Sequence, residues 1–431
     1  MVVENDLTND ALAISEAWRQ DLDVLRLTRD RLTESGLVGV RLDVVAIGKA
    51  SLEMAGAVHA VAGVQVARTL VVTDVARPSA SMPAAEVVVG EHPRPGTGSQ
   101  RAGEALVDFL DGDADADATL FLLSGGASSL CVYPMAPATV ADLGALFDAA
   151  LVSGVDITTL NRLRASASAI AGGAVLRHVR TPSASFILVD NVISGAPWVA
   201  SGLTYEYRPS REETVRLLES VGLRESATGE RLLDSVARRD EVMTAASGPH
   251  ENLVFAEPSM MLVPTLAEAA RRGYRVVDMG AAIQGEVGAV REEWRSVMRL
   301  AAEQGGAVAV VGVGEVTVEV RGAGRGGRCQ EFAWSMAPVL AELGRTSAFL
   351  ARASDGRDYL EGVAGAWVDD ATMALLARRE LDWDNVAAAN DTFPALEALG
   401  QLISGGRTGW NLCDLYLGLI AHGDPSPAVK D

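Results

Sequence analysis

Residues 43–58, DVVAIGKASLEMAGAV, decide the fold: an apolar, β-rich run ends at Ile47, Gly48 and Lys49 turn the chain, and helix-forming spacing begins at once. A strand that feeds directly into a helix is the repeating half of an open α/β sheet, and its turn is where such sheets offer N–H groups to anionic ligands. The pattern recurs outward from this stretch. "TLVVT" ends at Thr73, "EVVVG" at Gly90, "TLFLL" at Leu123 and "SFILVD" at Asp190, each separated from the next by helical or loop patterns. Strands alternating with helices predict a largely parallel, doubly wound sheet. Upstream, Thr8 can cap a single amphipathic helix carrying Ala11, Ile14, Trp18, Leu22 and Leu25, closed by Gly36. Downstream, a polar helical stretch (211–244) runs into "ASGPHENL", read as a loop, and the boundary is expected near Ser247, giving domains 1–246 and 247–431. "YRVVDM", a long helix over 286–303, "AVAVVG", "EVTVEVR" and "SAFLARA" then make a second α/β series. "AVAVVG" and "EVTVEVR", joined at Val313-Gly314, read as a hairpin, so the second lobe is expected to be mixed.

The chain has 431 residues, 48% of them hydrophobic, which suffices for two or three domains with full cores. Its formal net charge of −20 argues against nucleic acid and anionic membranes as partners, so an anionic substrate must be caught by local cations. Cys131, Cys329 and Cys413 lack CxxC or CxxH spacing and are expected to be buried thiols. The first 35 residues show neither a basic, apolar leader nor a spanning segment, and a cytoplasmic protein is expected.

Several loops can carry chemistry. Lys49 stands at a helix start, but Asp43 and Ala50 occupy places that a Walker A loop gives to glycine and Ser/Thr, so this is no P-loop. A cation there is best tolerated when an anion joins it; the alternative is a solvated lysine. "LLSGGASSL" (122–130) sets Ser124-Gly125-Gly126 after a strand with Ser128 close behind, an anion-binding nest or an ordinary tight turn. "GEHPRPGTGS" (90–99) carries His92, structural or ligand-facing. Asn161 and Arg164, three apart, share one helix face, facing a ligand or solvent. "VRGAGRGGRCQEF" (320–332) surrounds Arg328 with more glycine than a flexible connector needs, and arginine's fork matches phosphate oxygens. Asp355, Asp358 and Glu361, then Asn390, Asp391, Thr408, Asn411 and Asp414, supply oxygen ligands suited to magnesium if they line a cleft. Cationic turns at Lys49 and Arg328, one in each half, suggest a phosphate cleft between two lobes.

"VVAIGKASLEMAGA", "HPRPGTGS", "LLSGGASSL", "LNRLR" with Gly172-Gly173, "VASGLT", "GEVTVEVRGAGRGGRCQE", "SDGRDYLEGVAGAWVD" and "RTGWNLCDL" resemble, in order and spacing, the motifs of class II glycerate 2-kinases. The resemblance runs over about 44–420. It implies a Rossmann-like amino-terminal domain, a MOFRL carboxy-terminal domain, and ATP with Mg2+ as cofactors. It also implies transfer of the γ-phosphoryl group to glycerate or a related hydroxylated metabolite such as a polyol, cyclitol or sugar acid. By matching position, Lys49 and Arg328 look like phosphate-stabilising cations and Ser124, Gly125, Gly126 and Ser128 like the nucleotide loop, with Asn390, Thr408 and Asn411 beside them. Asp355 and Asp414 are the expected magnesium ligands, and His92, Asn161 and Arg164 the expected substrate contacts. Asp190 is the expected base, with Asp355 next in line. The partner implied is a small hydroxylated molecule, with a homodimer left open.

Departures from the family pattern fall around the acceptor. Asn191-Val192 and a shortened "ISGAPW" leave Asp190 the only nearby carboxylate, while Ala165, Ser166 and Ala171 stand where the family has cations. The acceptor pocket is therefore expected to be rebuilt. A degenerate metabolite-binding relative, or a phosphate-ester hydrolase or isomerase, is the alternative.

Overall fold

The computed structural model describes residues 6–75, 82, 84–113, 115–190, 195–242, 248–408 and 410–422. Its contacts divide the chain into a unit Asp23–Glu257 and a unit assembled from Met1–Leu22 with Pro258–Asp431. The change-over expected at Ser247 lies outside the described residues.

In the unit Asp23–Glu257, strands β1 (Arg41–Ile47), β2 (Gln65–Thr73), β3 (Glu86–Val89), β4 (Ala118–Leu123), β5 (Ser183–Leu188) and β6 (His250–Ala256) form one sheet in the order β3-β2-β1-β4-β5-β6. Every neighbouring pair is parallel. Helices cover both faces of such a sheet, so its central strands are mostly buried; β4 is buried at every position. The chain winds outward from β1 in one direction and from β4 in the other. The C-terminal ends of these two strands therefore flank the topological switch point, where open α/β sheets bind ligands. Strand β6 corrects the sequence reading, which took its first residues as a loop: the polar His250 and Asn252 bond to Ser183, Ser185 and Thr204 and so mask the strand pattern.

The second unit also holds one sheet, made of β7 (Arg275–Asp278), β8 (Ile283–Glu286), β9 (Val308–Thr317), β10 (Ser347–Ala353), β11 (Val363–Asp369), β12 (Leu402–Ser404) and β13 (Asp414–Ile420). The order is β12-β11-β10-β13-β9-β7, with β8 also on β9. β9 runs parallel to β7 and β8, and the other pairs are antiparallel, so the sheet is mixed. The hairpin expected at Val313-Gly314 does not exist, because β9 is continuous through it. Gly314 is needed there because a Cβ would lie 1.9 Å from the Ile283 carbonyl oxygen. Beneath this sheet Trp294, Phe332, Phe349 and Tyr416 meet edge to face, with Phe332 4.9 Å from both Phe349 and Tyr416.

The single helix expected at the amino terminus is two, Asp6–Asp21 and Val24–Glu34. Asp23 starts the second by accepting the Arg26 amide at 2.6 Å. The first buries Leu7, Ala11, Ile14 and Trp18, and its Glu16 pairs with Arg352 of β10. All three cysteines are free and buried.

Candidate active site

At the switch point the loops after β1 and β4 are stitched together. Ser124 N–H donates to the Ile47 carbonyl (3.0 Å), Lys49 N–H to the Gly125 carbonyl (2.9 Å), and Ala50 N–H to Ser124 Oγ (3.1 Å). Gly48, at φ +129°, is obligatory, since a Cβ would lie 2.2 Å from Ser124 Oγ. The fully buried Ser124 hydroxyl, expected as a nucleotide contact, thus fastens one loop to the other. Among the described residues, the Gly125 and Gly126 amides donate no hydrogen bond. Gly126 is at φ +83°, and a Cβ there would sit 3.2 Å from both Lys49 Cγ and His92 Cδ2. Two unspent amides therefore adjoin a half-buried lysine, the donor set of an anion nest.

Around this nest lie the other expected residues of the unit. Partial burial, the Lys49 ammonium and Arg164 lower the His92 pKa to about 4 against the opposing pull of Asp74, so the ring is neutral at neutral pH. Glu91 caps the helix Thr97–Asp111 through the amides of Gly98 (2.9 Å) and Ser99 (2.6 Å). Asn161 and Arg164, on the helix Ile157–Ser166, are both buried. Arg164 Nη2 donates to Ser129 Oγ at 3.3 Å, and Ser129 Oγ in turn donates to the Pro93 carbonyl at 2.7 Å. No carboxylate among the described residues pairs with this guanidinium; burial lowers its pKa to about 10, which still leaves it charged. It borders, with Ser128, Ser168 and Ser201, a cavity of about 20 Å³. Asp190 follows β5 at the same end of the parallel sheet, and Asn191 and Val192 lie outside the described residues.

In the second unit Arg328 opens the helix Arg328–Glu342 and is held by two carboxylates. Nε and Nη2 reach Asp414 at 2.7 and 3.2 Å, and Nη1 reaches Glu315 at 2.9 Å. Asp414, expected as a magnesium ligand, is fully buried and both its oxygens accept from Arg328. The neighbouring glycines are packing requirements. A Cβ on Gly322 would meet the Ala389 carbonyl at 2.2 Å, and one on Gly327 the Asp358 carboxylate at 2.3 Å. Asn390, expected as a nucleotide contact, accepts the Arg321 and Gly322 amides on Oδ1 and thereby holds this glycine run. Thr408 Oγ1 donates to the Ser354 carbonyl at 2.6 Å, its amide donates to the Asp355 carbonyl, and Asn411 is half-buried just before β13. The Asp355 Oδ1 accepts the Arg357 amide at 2.8 Å. Among the described residues no three His, Cys, Asp or Glu side chains gather as a metal site.

Asp358 and Glu331 are buried near that helix start. Burial and then Asp414 raise Asp358 to about 6; burial and then Asp358 raise Glu331 to about 7, against hydrogen bonds from Thr392 and Asn390. Because folded Glu331 holds its proton more tightly than an ordinary glutamate, whose carboxyl titrates at 4.5, the stability it adds is complete below about pH 4.5 and is lost as pH rises through about 7. Glu331→Gln keeps an acceptor for Thr392 and should flatten the fall in stability between pH 5 and 8 by on the order of 2 kcal/mol. Urea unfolding at several pH values checks this; parallel curves for variant and parent would contradict it.

Sequence reasoning missed Ser201 and Arg239. Arg239, 1% exposed, donates to the carbonyls of Ala165, Ser168 (2.9 Å), Ala171 (2.8 Å) and Gly172 (2.9 Å). A cation from a distant helix thus grips the segment where the family pattern has cations of its own. Lying in a run of charged residues, it gives no signal in the sequence.

The comparisons with known proteins agree with this architecture. Residues 10–234 match a family described as a domain of unknown function, DUF4147, and residues 308–414 match the MOFRL family. The glycerate 2-kinase of Pyrococcus horikoshii is 26% identical, with 96% of each chain covered. The D-glycerate 2-kinase of Thermotoga maritima is 28% identical over 91% of this chain and 94% of its own. A protein of Agrobacterium vitis, provisionally named a hydroxypyruvate reductase, is 30% identical over 88% of this chain and 87% of its own. The crystal structure of a Thermotoga maritima glycerate kinase superposes with a TM-score of 0.85 at 26% identity, covering 96% of this chain and 100% of that one. A parallel six-stranded sheet carrying Lys49 at its switch point, a mixed second sheet and both family matches place this chain in the class II glycerate kinase family.

Proposed function

We propose that the protein is a kinase that transfers the γ-phosphoryl group of ATP to a hydroxyl of glycerate or a closely related hydroxylated metabolite. The observation that carries the reading is the nest at the switch point, where Lys49 stands beside the unspent amides of Gly125 and Gly126. Phosphoryl transfer asks a protein mainly to position the reactants and to neutralise charge on the migrating group, and this donor set does both. The acceptor oxygen forms a bond to the γ-phosphorus as the bond to the bridging oxygen breaks, ADP leaves, and the hydroxyl proton passes to Asp190. Lys49 offsets charge on the non-bridging oxygens. Magnesium enters as the ion that travels with the nucleotide phosphates, an ion that commonly takes only one or two protein carboxylates. Arg328, with two carboxylates on it, is a weaker anion contact than Lys49.

The reductase name of the Agrobacterium vitis relative raises hydride transfer as a rival. A dinucleotide site at this position would place a G-x-G-x-x-G turn after β1, where this chain has Gly48-Lys49-Ala50-Ser51. Two assays on one preparation decide between them. ADP should form in proportion to added glycerate, and NADH should not be consumed with hydroxypyruvate; the reverse outcome overturns the kinase reading.

A further inference from the structure

Buried hydrogen-bond donors are normally matched by acceptors, yet two donors at the cavity that Arg164 borders have protons to spare. Arg164 is 8% exposed, and its guanidinium carbon lies 5.8 Å from the centre of the Phe147 ring. Its bond to Ser129 Oγ, at 3.3 Å, is the only hydrogen bond its side chain makes among the described residues. Ser168 is the second donor. Its Oγ accepts the amides of Ile170 (3.1 Å) and Ala171 (3.0 Å), which uses both lone pairs and leaves the hydroxyl proton without an acceptor among the described residues. Ser128, also at the cavity, has its hydroxyl free to donate. Arg239 adds another buried guanidinium close by, on the carbonyls of Ser168 and Ala171, both cavity residues.

The opposing wall is held by backbone. Ala200, Ser201 and Gly202 take φ values of 55°, 53° and 69°, and the amides of Gly172 and Gly173 donate to the carbonyls of Ser201 (3.2 Å) and Gly202 (2.9 Å). Left-handed backbone is costly at residues that carry side chains and persists where the surroundings enforce it, so this wall does not relax onto Arg164.

A cavity of about 20 Å³ holds about one water-sized particle, which rules out a carboxylate as the partner of Arg164 inside it. A single atom remains. Water would satisfy the spare donors but leave the guanidinium charge unopposed, and a buried charge without a counter-charge is strongly disfavoured. Ser201 acts in the other direction: its Oγ donates to Asn161 Oδ1 at 3.1 Å and so presents only lone pairs. A hydroxyl's partial charge is smaller than the full charge of a guanidinium, and the balance favours an anion.

We propose that this cavity is a binding site for a monatomic anion, chloride under ordinary conditions, held by the Arg164 guanidinium and the hydroxyls of Ser168 and Ser128. Arg164, expected from the sequence to contact substrate, then spends its charge inside the fold. The ion stabilises the packing of the helix Ile157–Ser166 against the turn at residues 200–202. Phosphoryl transfer at Lys49 does not depend on it.

The test uses the full chain with chloride as the probe. Thermal unfolding in sodium chloride should have a midpoint about 3 °C above that in sodium gluconate at equal ionic strength, once chloride exceeds its dissociation constant about tenfold. Bromide should act in place of chloride, and acetate, which outsizes the cavity, should not. Chloride NMR reads the same site without unfolding: the protein should broaden the chloride line, and bromide should titrate that broadening away. Arg164→Met should abolish both effects, and Arg164→Lys should keep a weakened form of them. Ser128→Ala should weaken chloride about fivefold, the scale of one hydrogen bond. Equal midpoints in chloride and gluconate would mean a water only and overturn the proposal. Full replacement of chloride by acetate would overturn it too, as would a folded Arg164→Met that binds chloride like its parent. Should Arg164→Met not fold, the bromide and acetate measurements on the parent chain still decide.

Discussion

Lys49→Ala should lower the turnover number for phosphoryl transfer by about 10²-fold or more, the scale of removing one preorganised electrostatic donor from a site where charge moves. The expectation rests on placement. Lys49 leaves β1 at the switch point with its backbone amide spent on Gly125, so its side chain is delivered next to Gly126 by a fixed turn. A charge that need not reorganise during the reaction contributes more than one on a flexible arm. Removing it while Gly125 and Gly126 remain should affect turnover more than nucleotide affinity, because the amides still hold polyphosphate. Steady-state kinetics with nucleotide titration separates the two effects. Turnover within a few-fold of the parent would remove Lys49 from the mechanism.

Arg328→Met should destabilise the unit Met1–Leu22 with Pro258–Asp431 by about 3 kcal/mol, because it strands a buried carboxylate. Asp414 is 0% exposed and receives two hydrogen bonds from this guanidinium. The exposed edge of Arg328, and its second partner Glu315, keep the cost below that of a fully buried pair. Asp414→Asn in the same chain removes the stranded charge and should restore more than half of the loss, the non-additivity that marks a coupled pair. Urea midpoints of the two single variants and the double variant give the coupling. Simple additivity would mean that Arg328 acts independently of Asp414, and the role of a free phosphate cation would then regain its claim.

The first sheet was legible because parallel strands covered on both faces carry short apolar runs in sequence, as the C-terminal parts of β1, β2, β4 and β5 do. Their spatial order was not, since it is set by pairing between segments far apart in the chain. β6 escaped because His250, Glu251 and Asn252 begin it on a sheet edge, where polar side chains find partners on β5 and in the turn after residue 200. β9 was misread for a different reason: Gly312 and Gly314, the signal of a turn, are there so that Ile283 can approach the strand closely. The glycines around 322–327, read as more than a flexible connector needs, are likewise placed by close packing, against Ala389 and Asp358. At the site, spacing predicted that Asn161 and Arg164 share a face, but their burial and the absence of a carboxylate beside Arg164 among the described residues depend on surrounding elements. Ser201 was quoted only as part of a motif, for nothing in "VASGLT" announces a left-handed turn.

The central claim, that the switch-point nest serves phosphoryl transfer, is tested most directly by phosphorus NMR of the protein incubated with ATP, magnesium and glycerate. The account predicts a new phosphomonoester of glycerate accumulating in step with ADP, and a rate reduced by about 10²-fold in Lys49→Ala. An ester that forms equally fast without the lysine, or no ester from glycerate or any other hydroxy acid while the protein is folded, would contradict it.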